Sequence, residues 1–168
     1  MDNALHPSAL AVLVAAPATL RGLLGSLPDE VVAAHGGEGW SPKDVVAHLL
    51  SLTGPTLIDR VRPMIEQDHP LIPSIDEHAV LERSGLRALT LDALLDELAR
   101  QRDDAVAWLR GLPADALART GQHGTAGRVT VADIIHHKAW HDLLHIGQVC
   151  RMLAVPLDER RGVMRQFT

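Results

Sequence analysis

The stretch WHDLLHIGQV, residues 140–149, carries two histidines four positions apart. On an α-helix that spacing leaves about 40° of rotation between them, so His141 and His145 point the same way and can share one ion. His137 lies one turn earlier on the same stripe. In a second apolar pattern His48 falls with Val45, Leu49 and Leu52, which turns its ring toward the same interior. For His48 alone, a core histidine satisfied by hydrogen bonds is the simpler account. Three inward imidazoles would each need a buried partner, and these faces offer few, whereas a divalent cation satisfies them together. From the residues alone, His48, His141 and His145 are the candidate ligands, and His137 is either a fourth ligand or a group that supports the others. His136, about 100° further round the helix, is expected to be partly exposed.

Other chemistries fit less well. H-D-L-L-H resembles the metalloprotease pattern H-E-x-x-H, with Asp142 in the place of the general base, but aspartate is a methylene shorter and no further histidine follows. The glycine-rich GQHGTAGR, residues 121–128, could expose backbone N–H groups to a phosphate, yet it lacks the Gly-Lys-Ser/Thr ending of a P-loop. It reads as a flexible connection with His123 near the site entrance. Cys150 diverges from His145 on the helix, and a buried apolar role is expected for it rather than nucleophilic chemistry.

These side chains must be held by helices, because strand signals are nearly absent. The first helix runs from about Ser8 to Gly25, with Pro17 expected to bend it or delay its regular start. The second begins at Trp40-Ser41-Pro42, where Ser41 can cap and Asp44 takes the third position, and continues to about Gln67. DHPLIPSIDEH, residues 68–78, is a long connection leading to an ambiguous segment around Leu81 to Leu86. The third helix starts at Thr90 and ends near Gly111. The fourth, capped by Thr130 with Asp133, runs to about Leu153, before Pro156. The fold class is therefore all-α, a four-helix bundle with a long crossover between helices 2 and 3 and its site between facing helices.

With 168 residues, 46% of them hydrophobic and 22% charged, the chain suits a single domain spanning residues 1–168. Its net charge of -5 and scattered Lys and Arg argue against nucleic acid as a partner. Cys150 is the only cysteine, so no internal disulfide forms and a reducing cytoplasm fits. LAVLVAAPA, residues 10–18, has the apolarity of a signal peptide core, but Asp2 stands where a basic start belongs. No apolar run reaches the roughly 20 residues of a membrane span.

The segments WSPKDVVAHL (residues 40–49), GRVT (127–130) and HDLLHIGQ (141–148), in this order, resemble the DinB-like family, which includes YfiT-type proteins; the resemblance spans nearly the whole chain. It implies a four-helix bundle with a three-histidine metal site, one ligand from the second helix and an H-x3-H pair from the last. By that match the ligands are His48, His141 and His145. Three imidazole donors suit zinc or nickel and leave positions open, so the expected reacting group is a metal-bound water or thiolate. Many relatives carry an acid a little over one turn after the helix-two histidine, where this chain has Thr53. The family's activities imply transfer of a low-molecular-weight thiol to small electrophiles as the leading expectation. A metal-dependent hydrolase, or a non-catalytic metal-binding stress-response protein, is the alternative. The expected partner is a small molecule, and a homodimer is an open option.

Overall fold

The computed structural model describes residues 4–35 and 39–167; Asp2 lies outside the described residues. Helix α1, Ser8–Leu24, keeps Pro17 inside it without a delayed start, and buries Leu13, Leu20 and Leu24 together with Ala16 and Pro17. A short α2, Asp29–Val32, follows. Helix α3, Pro42–Thr53, begins with a complete capping box: the Asp44 N–H donates to Ser41 Oγ at 3.1 Å, and the Ser41 N–H donates to Asp44 Oδ2 at 2.9 Å. These bonds satisfy two of the N–H groups that every helix start leaves without partners.

Helix α3 does not end at Thr53. It passes through a π-helical turn, Gly54–Ile58, into α4, Asp59–Glu66. Pro55 has no N–H to offer the ladder, and the chain absorbs that break by closing one turn a residue late. Helix α6, Leu91–Arg110, starts on Thr90, and α7, Val131–Glu159, starts on the Thr130–Asp133 capping box. The expected end of α7 near Leu153 is corrected, because the helix continues through Pro156. The flanking Val155 and Leu157 are exposed there, so water can serve the carbonyl that the proline leaves unpaired. Helix α1 packs on α6 and α7, and α3 packs on α6 and α7, which gives a four-helix bundle once α3, the π turn and α4 are taken as one rod.

The near absence of strands is also corrected. Strands β2 (Thr120–His123) and β3 (Gly127–Thr130) form an antiparallel hairpin where a flexible loop was expected, and β1 (Leu71–Ile72) joins β2 in parallel. Segments of two to four residues are too short to show a period-two pattern, so their pairing is not visible locally. Gly121 permits the close approach: a Cβ there would stand 2.9 Å from Ile72 Cγ1. This small sheet ties the connection after α4 to the start of α7, and thereby places α5, Glu77–Ser84, beside α3.

Among the described residues the core has two apolar clusters. One gathers Leu20, Leu24, Val45, Leu49, Leu94, Leu98 and Val149; the other gathers Leu13, Leu57, Val61, Val106, Val131 and Ile135. Between them along the rods lie buried polar residues: His48, Arg102, Lys138, His141 and Asp142. A polar layer across the middle of a bundle needs its own pairing, and the site occupies part of that layer. Among the described residues no helix is long and apolar enough to cross a membrane.

Candidate metal centre

The structure brings together the three histidines chosen from spacing. One ring nitrogen from each of His48, His141 and His145 lies within 4.8 Å of the others, a grouping that could hold a metal ion. Nε2 of His141 and Nε2 of His145 are 3.2 Å apart, and the His48 ring centroid is 4.6 Å from that of His145. The pair follows from one helix face, whereas His48 arrives from α3 because α3 and α7 pack together. Trp40, just before the α3 cap, covers the cluster, 4.8 Å from His48 and stacked at 6.2 Å on His145.

Burial prepares two of these rings, His48 and His145, as neutral ligands. Burial, and then the neighbouring His145 and His141, push the His48 imidazolium down to a pKa of about 3. Burial also lowers His145, against an opposing hydrogen bond to Gln148. That bond, His145 Nδ1 to Gln148 Oε1 at 2.7 Å, assigns the proton to Nδ1 and leaves the Nε2 lone pair facing the cluster, toward His141 Nε2. Among the described residues neither ring nitrogen of His48, at 2% exposure, has a hydrogen-bond partner, and Nδ1 of His141 has none. A buried ring with both nitrogens unpaired is costly. Three imidazoles aimed at one point, one of them orphaned, fit a divalent ion by donor type and spacing.

Sequence reasoning missed Glu77. It opens α5 within the connection that read as a proline-broken loop, and its Oε2 stands 3.6 Å from His48 Nε2 and 3.5 Å from His141 Nε2. The hydrogen bond with His141 holds its carboxyl down to about 2, against the opposing effect of burial. Asp76, which caps α5 by accepting from the Ala79 N–H, was the available signal for a helix start there.

Other expectations are corrected or refined. His137 does not join the three-histidine grouping; it is exposed, with its ring 6.2 Å from that of His141. His136 is half-buried and accepts the His6 N–H through Nε2 at 2.9 Å. Asp142 is no base for this site: it is fully buried, 3.0 Å from Arg102 and 3.4 Å from Lys138. Thr53 donates its hydroxyl to the Leu49 carbonyl at 3.1 Å instead of replacing the missing acid. His123 accepts two N–H groups of its own hairpin turn through Nδ1. Cys150 is exposed, because its neighbour Val149 takes the inward position. A cavity of about 570 Å³ lined by Val31, Pro42, Gln148, Met152 and Val155 touches the site only through Gln148.

A sequence model described as the DinB superfamily matches residues 13–149. No curated protein matches the sequence. Among solved structures, YfiT from Bacillus subtilis is similar with a TM-score of 0.78 and 23% identity, covering 92% of this chain and 86% of its own. That protein is described as a probable metal-dependent hydrolase with an unusual four-helix bundle topology.

Proposed function

The chain belongs to the DinB superfamily, and on that premise we propose that it is a metal-dependent hydrolase of a small molecule, with His48, His141 and His145 as ligands and Glu77 as the general base. The position of Glu77 carries this reading. Its carboxylate faces two of the three ligand nitrogens at 3.5 and 3.6 Å while its side chain is 37% exposed, so it reaches both the site and solvent. When bound, a divalent ion such as zinc or nickel lowers the pKa of water to near 7 or deprotonates a thiol outright.

The chain's own groups supply the rest. His48 and His145 remain uncharged through burial, and Gln148 orients the His145 ring through its Nδ1 proton. Glu77 takes the proton of the attacking water at a carboxylate oxygen and can return it to the leaving group, which departs protonated. Trp40 shields the cluster from bulk water on one side. Thiol S-transfer, the leading expectation from the family resemblance, needs an ion with open positions but no base. Glu77 therefore shifts the preference to hydrolysis, and the description of the YfiT neighbour supports the same direction. The accompanying proposals are a small-molecule partner, no nucleic acid and a cytoplasmic setting.

The test compares metal-loaded wild type and Glu77→Gln on a panel of small esters and amides, with and without added thiols. Glu77→Gln should keep its metal and lose about 10²- to 10⁴-fold in hydrolysis. Equal hydrolysis by the two proteins removes Glu77 from the mechanism. Turnover only in the presence of thiol returns the reading to S-transfer, and no turnover with any nucleophile favours a non-catalytic metal protein.

A further inference from the structure

Arg60 is 9% exposed, its Nε has no hydrogen-bond partner, and no carboxylate among the described residues forms an ion pair with it. A buried guanidinium that forms no ion pair, and feels only the longer-range attraction of Glu77, costs stability, so its presence points to a ligand. Its position is set by the π turn. Twelve residues of regular helix would carry position 60 about 120° away from His48 around the axis. The π turn absorbs one extra residue, taking back about 100°, so that Arg60 returns to within about 20° of the His48 face. The Arg60 side chain then leans toward the N-terminal end of its own helix, in the direction of the histidines.

Its surroundings agree. The Arg60 charge is felt at Glu77 on α5, at His137 on α7 and at His123 on β2, and Lys138 adds a second buried cation that also acts on Glu77 and His137. His137 lies one helical turn, about 6 Å, from His141. We propose that Arg60 forms an oxyanion subsite on the same face of the rod as His48, set back along it from the three histidines, where it holds the carboxylate of a small anionic substrate whose reacting group lies at the histidine cluster. The subsite rests on the proposed hydrolytic site for its catalytic meaning. A guanidinium fork matches a carboxylate bidentately, and in a site closed on one side by Glu77 it selects molecules whose negative charge sits several ångströms from the reacting bond. Arg60 is thus a binding residue for substrate class, while Glu77 and the histidines act at the reacting atoms.

The experiment is a binding cycle that needs no turnover. Acetohydroxamate and 3-carboxypropanohydroxamate, which share one metal-binding head and differ by a carboxylate tail, are titrated by calorimetry into metal-loaded wild type and Arg60→Gln. The tail should tighten binding at least tenfold in wild type and less than twofold in Arg60→Gln, with acetohydroxamate binding equally to both. No gain from the tail in wild type, or the same gain in Arg60→Gln, overturns the proposal. If acetohydroxamate itself fails to bind, the metal site is at fault. Succinate against the neutral succinamide on the same two proteins then reads Arg60 alone, by the same tenfold criterion. Arg60→Gln should melt no lower than wild type, since it loses an unpaired buried charge; a lower Tm with weakened binding of both hydroxamates makes Arg60 structural and overturns the proposal.

Discussion

Arg102 of α6 and Asp142 of α7 face each other across the bundle, Nη1 to Oδ2 at 3.0 Å, with side chains 1% and 0% exposed. Lys138 stands 3.4 Å from the same carboxylate, so one buried anion serves two buried cations. The pairing spends Asp142 on the fold and turns it away from the adjacent His141. Removing it leaves both cations uncompensated.

Asp142→Asn should accordingly destabilise the protein by about 3–5 kcal/mol, as expected for breaking a buried pair from one side. Urea unfolding measures this, and unchanged stability would show that water reaches the layer. Lys138 adds a pH signature. Burial lowers its pKa to about 8 from 10.5, with Asp142 opposing the shift. Between those values the unfolded chain binds the proton that the folded chain has lost, so stability should rise from pH 8 to 10.5. Lys138→Met should flatten that rise. The chain has no tyrosine and one other lysine, Lys43, to obscure it.

His48 predicts the opposite limb. Its folded pKa of about 3 lies below the ordinary 6.5, so at acid pH the unfolded chain takes up a proton that the folded ring refuses. Stability of the metal-free protein is unaffected by this group above pH 6.5 and falls as pH drops from 6.5 toward 3. His48→Leu should weaken that fall while abolishing metal uptake. An unchanged acid limb in the variant would mean that His48 is solvated in the metal-free state.

Metal content should rank the remaining residues. The His141→Ala, His145→Ala double variant should retain no stoichiometric metal by elemental analysis, and full occupancy would end the three-histidine assignment. Gln148→Leu removes the partner of the His145 Nδ1 proton and should weaken the metal about 10- to 100-fold in a chelator competition. His137→Ala should change affinity little, because that ring lies outside the ligand grouping.

What the sequence determined by itself was local. An i,i+4 histidine pair shares a helix face whatever surrounds it, and the caps at Ser41, Thr90 and Thr130 mark helix starts through bonds reaching only three residues. His48 was legible because its apolar neighbours announced the buried face. The tertiary structure decided the rest. Glu77 reaches the histidines only because α5 packs on α3 after a connection whose strand β1 pairs with a distant hairpin, and strands that short carry no period to read. Arg60 shares the face of His48 only through the π turn, since an uninterrupted α-helix would have turned it away. Asp142 stood where a metalloprotease-like motif would have its general base, but one residue of helix is about 100° of rotation, and across the bundle on that side stood Arg102. Spacing along one helix fixes which side chains travel together, whereas the groups they meet depend on how separate elements pack.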